Sequence, residues 1–525
     1  MSIPSESGTQ FSGAESLLHT LVACGVDTCF ANPGTSEMHF VAALDAVPAM
    51  RPVLCLFEGV ATGAADGYAR MAGKPASTLL HLGPGLANGL AGLHNARRAQ
   101  SPIVNIVGDH ATYHLQYDAP LTSDIAGFAR PVSDWVRRSA STRALPGDVV
   151  TAVACAHRSP GQIATLILPA DTAWSPAERI GTPETEPLPA TIPESTLERV
   201  AGLLRGTERS AMLLRGDVLH GQGLKDAASV AAQTGAKLFC DTFAPRIRRG
   251  GHHPVIERLH YRGDEVIRQL AAFDHLILVG AEPPVAFFAY PGRPSWLVPP
   301  GCALHTLTRP CENGPDALAR LADRLEAKAY CPPARLTVTA PQSDEPLTPE
   351  TILRCVTADL PEDAIVIDEG LTSTFPYYNL LDAASSHDHL NLTGGAIGSG
   401  IPLSVGAAVA APTRKVVCLH GDGGAMYSLQ GLWTQAREHL DVITIIFANR
   451  AYAILEQELD RVGARVNGTR SRTLLDIGDP DLDWTALATG MGVAAERVTT
   501  VAAFRDTFGR AIRTSGPILI EAIIA

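Results

Sequence analysis

Short apolar runs recur along this chain, separated by breaks rich in glycine and proline and by segments with apolar residues at helical spacing. Val416–Leu419 is one such run, short enough to be a buried strand. Gly421-Asp422-Gly423 follows it and is too glycine-rich for a strand interior, so it reads as a turn. Tyr427–Leu440 then carries apolar residues at helical spacing, and Val442–Phe447 is a second, β-branched run. The pattern predicts a βαβ unit whose crossover sets its strands parallel in one sheet. Asp422 and Asn449 then lie just beyond the carboxyl ends of neighbouring strands, where open α/β sheets bind ligands. Strands in a sheet are about 4.8 Å apart, so two oxygen-bearing side chains placed there can share one small hard cation. A carboxylate, an amide carbonyl and a free backbone carbonyl suit Mg²⁺ better than zinc, because every donor is oxygen.

The same alternation divides the chain into α/β blocks. The first runs from about Phe11 to Trp174 and closes on Ala164–Pro169; a Pro- and Glu-rich linker, Ser175–Glu194, follows. The second, about Ser195–Ala329, contains the strands Ser210–Leu214 and His275–Val279. A second Pro-rich stretch, Cys331–Pro349, leads to the third block, which ends in the strand-like GPILIEAII. The first and third blocks read as one architecture used twice.

Composition narrows the class. A length of 525 residues, 46% hydrophobic and 18% charged, fits a multi-domain globular protein. The net charge of −12 offers no basic surface for nucleic acid. The ten cysteines are scattered with no C-x-x-C, which indicates neither a zinc ribbon nor a disulfide framework. No apolar run reaches transmembrane length and MSIPSESGTQ lacks signal-peptide features, so the expectation is a cytoplasmic protein with no membrane partner.

The Gly421-Asp422-Gly423 turn followed by Asn449 resembles the GDG…N motif of thiamine-diphosphate enzymes. That resemblance makes Asp422, Asn449 and the backbone carbonyl of Ala451 the Mg²⁺ ligands; Ala448 stands where the family usually has a further Asn. In the first block, EGVATGAADGYAR follows the apolar run from Val53, read as a buried strand entering a helix, with Glu58 at the junction. This segment resembles the catalytic-glutamate segment of the acetolactate synthase and benzoylformate decarboxylase branch, where the Glu hydrogen-bonds N1′ of the aminopyrimidine. Burial raises a carboxyl pKa, which suits proton sharing near neutral pH. The resemblance covers nearly the whole chain. It implies three doubly wound parallel-sheet domains: pyrimidine-binding at 1–175, central and Rossmann-like at 190–330, and diphosphate-binding at 347–525.

Further residues follow from it. FANPGTSEMHF resembles the family's NPG loop and brings Thr35 to the substrate carboxylate, unless its hydroxyl only stabilises the turn. His81 falls where benzoylformate decarboxylase has an active-site His, suited to proton relay. His110 and His114, in a polar loop after Ile103–Val107, either supplement His81 or are merely solvated. Where that enzyme supplies a second His, the alignment puts Phe288, beside Phe287. Thr372 is placed to donate to the diphosphate, to cap a helix, or to do both. The Gly395 carbonyl would accept from N4′, and Ile397 would wedge between the cofactor's rings. Gly423, Gly424, Ala425, Tyr427 and Tyr452 complete the cofactor set, with phosphate at the start of the helix after the turn. Gln457-Glu458 replaces the Gln-Trp of acetolactate synthases, leaving Ile454 and Leu455 to line an apolar pocket or to pack in the core. The central block has no G-x-G-x-x-G, so FAD is not favoured.

The implied activity is decarboxylation of a 2-oxo acid through an enamine, ending in aldehyde release or carboligation to a 2-hydroxy ketone. The alternatives are condensation of two pyruvates by an acetolactate synthase and a regulatory relative without catalysis. Glu58 and the GDG…N motif fall in different domains, so the resemblance implies sites shared between subunits, with a homodimer as minimum and a homotetramer expected.

Overall fold

The computed structural model describes residues 11–524 apart from 179, 186, 187, 333, 335 and 465–468. The chain forms two compact units, Met1–Pro187 with Val405–Ala411 and Leu188–Ser404 with Pro412–Ala525. The first unit holds a six-stranded parallel sheet of β1 (Thr28–Asn32), β2 (Arg51–Leu54), β3 (Ala76–Leu80), β4 (Ile103–Asp109), β5 (Trp135–Arg138) and β6 (Ile163–Pro169) in the order 2-1-3-4-6-5. β3, β4 and β6 are buried throughout, as strands covered on both faces must be, and this is why they read as unbroken apolar runs. β2 starts two residues before the run expected from Val53: Val53 is buried as expected, but the strand lies at the sheet edge with Arg51 and Pro52 exposed. Proline suits that place because an edge strand leaves one row of N–H groups unpaired.

The second unit carries two sheets. One contains β7 (Ser210–Leu214), β8 (Lys237–Cys240), β10 (Glu257–Arg258), β11 (His275–Val279) and β12 (Ala303–Thr308), all parallel, in the order 10-8-7-11-12. The other contains β13 (Ala364–Glu369), β14 (His387–Asn391), β15 (Val416–Gly421), β16 (Val442–Ala448), β17 (Ala494–Val498) and β18 (Ile518–Ile523), in the order 14-13-15-16-18-17. Renumbered from its first strand, that is the 2-1-3-4-6-5 order of the first unit, so the repeated architecture expected from the sequence is present. A seventh strand, β9 (Ile247–Arg249), leaves the segment between β8 and β10 and pairs antiparallel with β14 at the sheet edge. Two buried groupings cover the faces of this seven-stranded sheet. One centres on Phe447, Phe504 and Phe508, and the other on Ile446, Trp484 and Leu519.

Three helices bear on the candidate site: α1 (Glu58–Ala72), α2 (Leu82–Ala99) and α3 (Gly400–Ala410). The helix expected over Tyr427–Leu440 is shorter. A one-turn helix, Asp422–Ala425, follows β15 directly and α4 occupies only Gln430–Arg437. The interruption is held open by Ser428, whose hydroxyl donates to the carbonyl of Gly398.

Candidate active site

In the second unit the registered pair Gly421–Phe447 sets β15 beside β16, so Asp422 and Asn449 emerge from adjacent strand ends. Asp422 is buried; its carboxylate accepts the N–H of Gly423 at 2.8 Å and that of Arg450 at 2.7 Å. Asn449 Oδ1 accepts the N–H of Ala451 at 3.1 Å. These bonds close a tight turn with Arg450 at φ +60°, a left-handed conformation uncommon for a residue with a side chain. Burial pushes the Asp422 carboxyl above its usual range, although the surrounding backbone N–H groups pull it down. A carboxylate disfavoured by burial gains from a cation, and the donors here are all oxygen, so these residues fit a hard ion such as Mg²⁺.

The rest of the expected cofactor set gathers at the same end of the sheet. A Cβ at Gly423 would meet the ring of Tyr452 at 2.5 Å, and one at Gly398 would come within 3.1 Å of the Gly424 carbonyl and 3.4 Å of the Tyr427 ring. Ile397 and Gly395 precede that contact, with Gly395 at φ +81°. Ala425 is buried in the one-turn helix. Tyr427 lies between helices rather than at the start of one. Thr372 sits inside a 3₁₀ turn, Leu371–Ser373, whose cap is Gly370, so the helix-capping alternative does not hold.

Sequence reasoning missed Glu369. Its buried carboxylate, at the end of β13, accepts from Gly398 N at 2.5 Å, Ser399 Oγ at 2.9 Å and Gly400 N at 2.6 Å. It thereby caps α3 and fixes the segment bearing Ile397. An acidic residue ending an apolar run, AIVIDE, was the available signal.

Phe287, more than Phe288, is the ring facing this region: it stands 3.5 Å from where a Gly395 Cβ would be. It packs with Phe243 and Tyr261, and Phe375 joins them, at ring separations of 5.2–5.8 Å. Glu458, on α5 (Ala453–Arg461), accepts from the Tyr290 hydroxyl at 2.6 Å and pairs with Arg461. Of the expected pocket residues, Leu455 is exposed, so neither core packing nor a closed pocket accounts for it.

In the first unit Glu58 begins α1, where the helix dipole favours a carboxylate, and is only 7% exposed. Its Oε2 accepts from Asn88 Nδ2 at 3.0 Å. A Cβ at Gly85 would lie 3.2 Å from Glu58 Oε1 and 3.3 Å from His81 Cβ, so the two side chains flank one glycine. His81 Nδ1 bonds to Glu37 Oε2 at 2.8 Å, and Glu37 Oε2 also accepts from Gly34 N at 2.8 Å. A Cβ at Gly34 would strike the His81 ring, and Thr35 is the next residue of that loop. Burial pushes the Glu37 carboxyl up, against the pull of His81.

Two parallel α/β sheets with one strand order, one ending in Glu58 and the other in an Asp-Asn turn, define a thiamine-diphosphate enzyme. The chain belongs to the thiamine pyrophosphate enzyme family: residues 11–128 match the N-terminal TPP binding domain and residues 374–522 the C-terminal TPP binding domain. It is 52% identical, over 98% of its own length and 99% of the relative's, to the Mycobacterium tuberculosis protein named "Putative acetolactate synthase large subunit IlvX". It is 27% identical to the benzoylformate decarboxylase of Pseudomonas aeruginosa, covering 95% of this chain and 96% of that one. The solved structure of a thiamine diphosphate-dependent 4-hydroxybenzoylformate decarboxylase from Rhodococcus jostii shares the fold, with a TM-score of 0.84 at 23% identity over 98% of this chain and 99% of that one. The protein is thus a thiamine-diphosphate-dependent enzyme of the decarboxylase and acetolactate synthase group. No described helix is long and apolar enough to cross a membrane.

Proposed function

We propose that this enzyme decarboxylates a 2-oxo acid with an apolar or aromatic substituent, using thiamine diphosphate held through Mg²⁺ by Asp422, Asn449 and the Ala451 carbonyl. The observation that carries it is the Asp422–Arg450–Asn449 turn on adjacent strand ends. When bound, thiamine diphosphate supplies a carbon nucleophile for the 2-oxo carbonyl and a sink for the electrons left by CO₂.

The chain's own groups do the rest. Glu58 would share a proton with the pyrimidine of the bound cofactor. His81, oriented by Glu37 through Nδ1, keeps Nε2 free to exchange a proton with substrate, and Thr35 meets the substrate carboxylate. Thr372 and the backbone of Gly423, Gly424 and Ala425 serve the diphosphate, with Tyr427 and Tyr452 beside them. Gly395 and Ile397 shape the ring-binding segment, which Glu369 holds in place. The Phe287 group gives the substituent a wall that cannot move protons. A homodimer is the minimum assembly, each subunit lending Glu58 to its partner's site, and a homotetramer and a cytoplasmic location complete the reading.

The similarity to the M. tuberculosis protein favours a second reading, condensation of two pyruvates to acetolactate. Glu458, engaged with Tyr290 in the segment where acetolactate synthases carry Trp, speaks against it. Purified protein with thiamine diphosphate and Mg²⁺, offered a panel of 2-oxo acids with and without aldehydes, tests both. Aryl or branched substrates turned over faster than pyruvate support the first reading; acetolactate from pyruvate alone establishes the second.

A further inference from the structure

The first unit holds more histidine than the proposed decarboxylation requires. His81 follows β3 and His110 follows β4, neighbouring strands in register at Leu80 and Val107. His110 Nε2 is buried and has no hydrogen-bond partner. The His114 ring lies 5.3 Å from the His110 ring, and Tyr117 lies 5.8 Å beyond it. His114 is partly exposed, and Tyr113 and Tyr117 around it are open to solvent. The row therefore runs from the surface of the loop to the strand ends beside Glu58. The loop is not free: a Cβ at Gly83, on the first turn of α2, would strike the hydroxyl of Ser123.

A buried polar nitrogen without a partner costs free energy unless a water bonds to it. Burial, then His114 and His81, hold the His110 imidazole below its ordinary range, so the rings sense one another. The other charged groups around them are accounted for. Glu37 is bonded to His81 and overlies Gly108, Asp109 is paired with Arg138, Asp171 holds Thr112 N, and Glu58 is held by Asn88. Neighbouring imidazoles, each able to accept and donate a proton, suit stepwise proton transfer.

We propose that His114, His110 and His81 form a proton relay from solvent to the reacting carbon. The proposal rests on the reading that His81 exchanges a proton with substrate. His81 gives up its Nε2 proton as a C–H bond forms where CO₂ has left. His110 then reprotonates it, through one bridging water, and is itself recharged from His114 and bulk water; the reverse path removes a proton.

Two measurements test it. In the cofactor-free protein, the His110 imidazole titration followed by NMR rises when either His81 or His114 is changed to Gln. In the loaded enzyme, His110→Ala and the bulkier His110→Gln release CO₂ in a first turnover at nearly the wild-type rate. Their aldehyde release falls by about tenfold or more, and added imidazole restores it in His110→Ala. An unmoved His110 titration, normal aldehyde release, or a loss that imidazole does not restore overturns the relay. Slow His81→Gln with fast His110→Ala removes the relay alone, whereas unchanged turnover in His81→Gln removes the role of His81 itself.

Discussion

The buried carboxylate of Asp422 accepts the backbone N–H of Arg450 at 2.7 Å, tying the end of one central strand to the turn that ends the next. The turn proposed to hold the cation is thereby held together by the chain's own hydrogen bonds. Because burial raises the folded-state pKa of Asp422 above its unfolded value, the folded chain binds more protons in the window between the two, and stability falls as pH rises through it. A bound cation reverses this. Mg²⁺ with thiamine diphosphate should therefore raise the melting temperature more at pH 7 than near pH 4. Saturation at a hundredfold excess over Kd contributes about 2.7 kcal/mol. Scanning calorimetry of wild type and Asp422→Asn checks this, the variant losing the Mg²⁺-dependent part.

Glu58→Gln keeps size and shape and removes the carboxyl proposed to share a proton with the cofactor. Turnover should vanish while cofactor affinity stays within about threefold, the pattern of a group that acts in the chemical step. Fluorescence titration beside steady-state assay separates the two, and retained turnover would sink the proposed role.

Glu369→Ala leaves the N–H groups of Gly398 and Gly400 and the Ser399 hydroxyl without their buried acceptor. At about 1–3 kcal/mol for each buried group left unsatisfied, unfolding free energy should fall by about 3 kcal/mol or more. Cofactor affinity should fall with it, because the Ile397 segment loses its anchor. Denaturant titration and cofactor titration of the same variant give both numbers.

Asp388 on β14 links β9 to its sheet. Burial opposes its ionisation, yet Arg246, with Arg414, holds its carboxyl down to about 2 from 3.8. A shift of that size is worth about 2 kcal/mol. With the folded value depressed, this stabilisation is complete above pH 3.8 and is lost as pH falls through about 2. Asp388→Asn should be less stable at pH 7 by about that amount and lose less stability on acidification, measured by urea unfolding across the pH range.

Much of this was legible in the chain. Strands buried on both faces announced themselves as apolar runs, and β7 and β11 lie where those runs placed them. The motif residues Asp422 and Asn449 converge because two such strands are neighbours. What escaped was set by distant partners. The helix after Gly423 is interrupted where Ser428 reaches back to Gly398, and Glu369 serves N–H groups some thirty residues away. β9, three residues in an arginine-rich stretch, has no local period at all and exists because β14 offers it an edge.

That borrowed strand sets a limit on dissection of the molecule. A fragment beginning near residue 347 retains both strand-end turns of the diphosphate half yet leaves β14 as a bare margin, with Asp388 stripped of Arg246 and Arg248. An uncovered margin of this kind invites other chains to add to it, so the isolated half should aggregate edge to edge through β14, a route the intact polypeptide closes with β9.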